Sequence, residues 1–265
     1  MKGAKLFSVM NVKSYFLNEQ REFSVLFLST IKWIFLSILL GMAAVFGFFI
    51  ALIARLFINL SFCMEKLGEK IDHQISYWFT PLVGGLVLVV FGVLGFTPAL
   101  GVGMTTIQQV MAGKSVPWIL WVIKILAVTI TLGMGGSGGV VTPMFFIGSV
   151  FGMNFAHLFS LNSSFWSQVG LVTFLGACAN TPLSAVIMAC ELFGFHHAIP
   201  VILAVTVAYK LLGHRSIHSS QLLLITKSMS IDVPLGEPVV NAQAGCVPNR
   251  NTAGKRLFDS IPFRI

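Results

Sequence analysis

Between Asp72 and Glu191 the only Lys, Arg, Asp or Glu residues are Lys114 and Lys124, and from Ile125 to Cys190 there are none. A bilayer core penalises ionised groups, and a spanning helix needs about 20 mostly apolar residues. A chain with so long a charge-free stretch cannot cover its surface with groups that water solvates. Only 10% of the 265 residues are charged and 56% are apolar, against roughly 25% charged in average soluble domains. These figures exclude a soluble globular enzyme, a disordered tail and a disulfide-rich secreted module. The formal net charge of +8, from 17 basic and 9 acidic residues, suits nucleic acid in a soluble protein. In a membrane protein it suits basic loops held on the cytoplasmic side, and the apolar composition selects that reading.

Several segments qualify as spans or come near. Ser24–Leu60 is long and apolar, broken only by Lys32 and Arg55. About 37 helical residues at ~1.5 Å each reach ~55 Å, more than a ~30 Å hydrocarbon core, so this is either two elements or one long, tilted helix. Leu82–Leu94 with its flanks, Val116–Leu132, Thr142–Phe159, Val169–Phe195 and Ile199–Leu212 follow. The expected fold is all-α and polytopic, with short, broken and tilted helices. Interrupted segments of this kind are what transporters place around binding sites near the midplane.

The opening residues, 1–22, are polar and show no apolar run ending in a small-residue cleavage site. From about Ile231 the chain turns polar and rich in Pro, Gly and Asn, so 229–265 is expected to be an exposed, poorly ordered tail. The cysteines, Cys63, Cys178, Cys190 and Cys246, form no CxxC pair and read as free thiols. The histidines form no HExxH motif, and His196 and His197 fall at the end of an apolar helix. No metal, cofactor or catalytic residue is expected.

The chemistry concentrates in GMGGSGGVVTPMFFIGSVFG, Gly133 to Gly152, where Gly133, Gly135, Gly136, Gly138 and Gly139 precede Pro143 and a fresh apolar helix. Glycine permits close backbone approach, and proline suits the first turn of a helix. A glycine loop entering a helix N-terminus presents unpaired N–H groups and the positive end of the helix dipole. Those suit a small anion. A lysine there would bind too tightly for fast exit, whereas partial charges still let the ion leave. The competing reading is a packing hinge, where glycines let two helices touch. A nucleotide loop fails, since there is no GxGxxG after a strand and no GK[ST].

Gly133–Gly152 resembles the second-half anion-binding motif of the CLC chloride channels and anion–proton antiporters. There a glycine-rich run leads into G-x-F-x-P and then an FIG-type helix. Gly139, Val140, Val141, Thr142 and Pro143 occupy that pattern, with Phe146, Ile147 and Gly148 after them. Phe91–Lys114 is similar to the family segment built around G-x-G-x-x-x-I-Q. Gly176–Ile202 resembles the family's paired helices with their E-[LM]-x-G turn. Arg215–Gln221, RSIHSSQ, resembles the S-I-Y-P-S-Q segment that opens the last membrane helix. The four motifs fall in order over about residues 22–228.

The resemblance implies one half of an inverted-repeat membrane fold over 23–228, with 1–22 as an inter-repeat linker. It further implies a homodimer in the cell membrane, with one anion path per subunit. The partners would be chloride or another small anion, the lipid bilayer and, in an antiporter, protons, with no nucleic acid. Val140 and Val141 would offer backbone N–H groups to the anion, with Gly139 leaving room. Three departures stand out. Val141 replaces the motif phenylalanine. His218 replaces the pore tyrosine, and it either donates a hydrogen bond to the anion or turns away. Val140 stands where the fluoride-exporting subgroup, whose motif reads G-E-V-T-P, carries glutamate. The first-half motifs G-S-G-x-P and G-[RK]-E-G-x-x are not found, so the chain is expected to hold about half of the site and to need the other repeat. The alternatives are a fluoride exporter or a non-conducting half that only scaffolds assembly. Glu191, the only acid in the apolar region, reads as satisfying backbone donors at its helix end, not as a gate.

Overall fold

A computed structural model describes the backbone of residues 3–74, 79–213, 215–218, 231–232 and 247–248, and the side chains of 36–73, 79–213 and 215–218. Contacts divide the chain into two units, 1–42 and 43–265. The first is helical backbone from Gly3 onward. Helix α1 runs Gly3–Gln74, so Ser24–Leu60 belongs to one continuous helix, the second of the two possibilities its length allowed. Within the larger unit, residues 43–74 extend ~48 Å at ~1.5 Å per residue, more than a hydrocarbon core requires.

Seven more helices follow among the described residues of the larger unit: α2 (Phe79–Val93), α3 (Met104–Met111), α4 (Leu120–Gly133), α5 (Val141–Leu158), α6 (Ser163–Cys178), α7 (Pro182–Phe193) and α8 (Ala198–Leu212). Single 3-10 turns, Thr97–Ala99 and Phe195–His197, lie before α3 and α8. The apolar stretch Val169–Phe195 is two helices, as the resemblance of Gly176–Ile202 to paired helices implies. Asn180 adopts a left-handed φ of +63° and Pro182 opens α7, so a helix that hydropathy alone would continue ends at Cys178. Part of the tail pairs as a two-residue ladder, Ile231 with Pro248 and Asp232 with Val247. The rest of 229–265, including Cys246, lies outside the described residues.

The centre of the unit is the α5–α6 pair. Gly148 and Gly152 sit one turn apart on α5. A Cβ on Gly148 would overlap the carbonyl of Gly170, and one on Gly152 the carbonyl of Trp166, so only glycine lets these backbones meet. Around the seam Phe46 of α1 lies edge-on to Phe155 at 4.8 Å and to Trp166 at 5.2 Å. Phe46, Phe57, Phe146 and Phe174 are fully buried. Gly47 touches the Ala204 backbone of α8, and Gly68 touches Gly133 of α4, which brings α1 onto both. Asn162 caps α6 by accepting the Phe165 N–H at 3.0 Å.

Outward faces are apolar. Leu82, Leu86, Val89 and Val93 of α2 are more than 60% exposed, as is Leu183 of α7. Among the described residues three helical stretches, Leu36–His73, Val141–Leu158 and Phe195–Leu212, are long and apolar enough to cross a membrane. The all-α membrane fold expected from the charge distribution is the fold observed.

Candidate functional site

Helix α4 ends in a Schellman turn. Gly135 takes φ +79°, its N–H bonds Leu132 O at 3.3 Å, and the Gly136 N–H bonds Thr131 O at 2.7 Å. The chain then runs through Ser137, Gly138 and Gly139 and enters α5 with Val140 as the N-cap, already at helical dihedrals. The first bond of α5 is Met144 N–H to Val140 O at 3.1 Å. Pro143 has no N–H. Among the described residues, no acceptor lies within hydrogen-bonding reach of the Val140, Val141 or Thr142 N–H groups. Three donors therefore gather at the positive end of a helix dipole. Neither Gly138 nor Gly139 would meet any atom within 4 Å if given a Cβ, so the approach to these donors is open.

Beside the loop lies a cavity of about 430 Å³. Gly138, Gly139, Thr142 and Pro143 form one wall, and the Gly101–Val102 turn ahead of α3 faces them. Val140 and Val141 do not line it, and Val141 is 44% exposed. The five expected loop residues thus divide: Gly139, Thr142 and Pro143 face the cavity, while Val140 and Val141 stand on the outer side of the same helix end. His218 is also apart from the cavity. It is exposed, and its backbone N–H donates to Ser216 Oγ at 3.2 Å. Ser216 Oγ in turn reaches Cys178 O at 3.4 Å, and the Ile217 N–H donates to the same carbonyl at 2.9 Å, which fastens this segment to the C-terminus of α6. Residues 219–221 of RSIHSSQ lie outside the described residues.

One cavity residue carries a full charge that the sequence did not assign to the site. Lys124 of α4 is 1% exposed, lines the cavity, donates from Nζ to Gly101 O, and sits 5.0 Å from the Phe146 ring centroid. Its position as the last charge before the empty stretch was legible. That the Gly101 turn and the Gly138–Gly139 loop would meet around it was not.

Glu191 corrects an expectation. Its side chain is exposed, and among the described residues it accepts no hydrogen bond. The nearby His197 ring is held through Nδ1 by Phe193 O at 3.1 Å and stacks on Phe165 at 4.7 Å. The helix end is closed by Gly194 N–H to Cys190 O at 3.0 Å, without the carboxylate. Cys63, Cys178 and Cys190 are free.

Comparisons with known proteins identify the family. A family model described as voltage gated chloride channel matches residues 6–213. A chloride/fluoride channel protein of Pseudomonas syringae pv. tomato is 33% identical over 59% of this chain and 36% of its own length. A voltage-gated ClC-type chloride channel of Escherichia coli is 29% identical over 51% of this chain and 34% of its own. The chain therefore spans little more than a third of these relatives. The crystal structure of a CLC-type fluoride/proton antiporter superposes with a TM-score of 0.60 at 24% identity. It covers 64% of this chain and 43% of the antiporter, which shows a shared fold. With the family model matched over most of its length, the chain belongs to the voltage gated chloride channel family, the CLC proteins, and is a membrane protein.

Proposed function

We propose that this chain moves a small monovalent anion, chloride first, across a cell membrane, and catalyses no reaction. The anion is held by the backbone N–H groups of Val140, Val141 and Thr142, with Gly139 leaving room for it. The observation that carries this reading is the set of three unbonded N–H groups behind an open glycine loop. Backbone dipoles suit conduction, because binding must be strong enough to admit the ion and weak enough to release it. Family membership supports the substrate class. Assembly as a homodimer, and completion of the path by a first-half repeat carrying the G-[RK]-E-G and G-S-G-x-P motifs, follow from the resemblance.

The test is reconstitution in liposomes, with chloride efflux and proton flux measured for the chain alone and with a first-half partner. Chloride efflux in either preparation is the expected result. No anion flux in both would leave the non-conducting scaffold as the surviving reading.

A fluoride path is the second reading, favoured by the Pseudomonas relative's name and the fluoride/proton antiporter's fold. Val140, standing where that subgroup carries glutamate, weighs against its coupling mechanism. A fluoride electrode in the same liposomes separates the two: fluoride efflux well above chloride efflux would replace chloride as the substrate.

A further inference from the structure

The lysine in the cavity needs an explanation that the α5 amides do not supply. An ammonium has three donors and a full charge. Here one donor meets Gly101 O and the charge faces the Phe146 ring, yet among the described residues no carboxylate pairs with it. Removing a cation from water costs several kcal/mol unless a counter-charge or full hydrogen bonding offsets it. Fastening a carbonyl would need only a neutral donor, which carries no such cost. The cavity supplies the missing partner's space. No Asp or Glu lines it, while Ser137 and Thr142, whose hydroxyls are without a partner among the described residues, do. The N-terminal turn of α5 adds its positive dipole end on the same side.

We propose that the cavity between α4, the Gly101–Val102 turn and the 137–143 loop is a second anion position, where Lys124 Nζ and the Ser137 and Thr142 hydroxyls hold a halide-sized monovalent anion with accompanying water. It rests on the reading of the chain as an anion transporter and is offset from the Val140 and Val141 amides, which do not line the cavity, while Thr142 belongs to both positions, by its N–H in one and its hydroxyl in the other. A lysine in the path of an ion passing the amides would hold it too long. Set to one side behind a glycine wall, it instead raises the local anion concentration next to the conducting position. At about 430 Å³ the space admits an anion together with several waters.

Thermal unfolding of the detergent-solubilised chain, followed as chloride or bromide is added, reads anion affinity directly, since a ligand bound only by the folded state raises Tm with concentration. Lys124→Met is expected to weaken the anion-dependent rise at least tenfold, and Lys124→Arg, which keeps the charge, to retain most of it. Val141→Pro, which removes one amide, tests the other position. If Lys124→Met responds like wild type while Val141→Pro does not, the lysine site is overturned and the amide site stands. If Val141→Pro responds like wild type and Lys124→Met does not, the reverse holds. No anion-dependent rise in wild type overturns both. Should Lys124→Met fail to fold, bromide anomalous diffraction from wild-type crystals decides. A peak in contact with Lys124 Nζ is expected, and a peak at the α5 amides alone overturns the proposal.

Discussion

Two junctions in this chain are built the same way and end differently. Helix α4 passes to α5, and α6 passes to α7, through a Schellman turn with a left-handed residue and a proline soon after. At the first, Gly135 is left-handed and Gly136 N–H returns to Thr131 O. At the second, Asn180 is left-handed at φ +63°, its N–H bonds Ala177 O at 3.3 Å, and Thr181 N–H returns to Gly176 O at 3.0 Å. The second junction then closes at once. Thr181, its own amide already spent in the turn, is the N-cap of α7, and Pro182 occupies the first helical position. The Cys178 carbonyl before it is occupied by Ile217 N–H and Ser216 Oγ. In the first, Ser137–Gly139 lengthen the connection, the N-cap amide is free, and proline waits until the third helical position. Among the described residues α7 keeps two unbonded N–H groups, those of Leu183 and Ser184, against three at α5, so loop length and proline placement decide whether the N-cap and first helical amides are among the free donors.

The largest expected effect breaks the closed junction. A Cβ at Gly176 would lie 2.6 Å from Ala185 Cβ and 2.8 Å from Val205 Cγ2. Gly176→Leu should therefore cost about 3 kcal/mol through overpacking, read as a fall in Tm in detergent. Gly139→Ala, with nothing within 4 Å of the new Cβ, should leave Tm within the error of the measurement. Equal losses at the two positions would show that the junctions do not differ in packing.

The next effect copies the closed junction into the open one. Val141→Pro places proline at the first helical position of α5, as Pro182 does for α7. Proline suits that position, but it disfavours the helical dihedrals of Val140 before it, so the fold should hold with a small fall in Tm. Removing one charge-facing amide should weaken anion affinity tenfold or more, about 1.4 kcal/mol, in the chloride dependence of Tm. Val141→Phe keeps the N–H and should bind as wild type does. Equal affinity in both variants would remove the Val141 amide from the site.

Much of this contrast was legible in the sequence, and the parts that were not have physical reasons. The glycine run and Pro143 placed the open junction correctly because local backbone chemistry dictates it. The closed junction lies inside one apolar stretch, Val169–Phe195, by hydropathy, and only the motif over Gly176–Ile202 points to two helices there. Hydropathy reports solvent preference and is blind to a break made by Asn180 and Pro182, although the residue types themselves signal it. The length of Ser24–Leu60 left one helix or two undecided, since nothing within it breaks a helix. The role of Lys124 was hidden for another reason. Its partners, Gly101 O and the loop at Gly138–Gly139, are remote in sequence and meet only through tertiary packing. Glu191 misled because an acid in an apolar region invites a local partner, whereas its exposed side chain takes none among the described residues.

The smallest effect sharpens the comparison at its common element, the left-handed residue. Asn180 supports φ +63° better than most side chains do, but its Oδ1 is buried without a hydrogen-bond partner. The first junction uses glycine at the equivalent place, with no Cβ penalty and no polar atom to leave unsatisfied. Asn180→Gly should therefore stabilise the fold. Relief of backbone strain and of a buried, unpaired acceptor is offset by the greater freedom of glycine in the unfolded chain, which leaves a net gain of at most about 1 kcal/mol. The expected record is a small rise in Tm with no change in its chloride dependence, because Asn180 is remote from the α5 donors in the hydrogen-bond pattern. A fall in Tm would mean that the asparagine side chain makes a stabilising contact through water. A change in the chloride dependence would mean that the two junctions move together, and that the closed one helps to set the geometry of the open one.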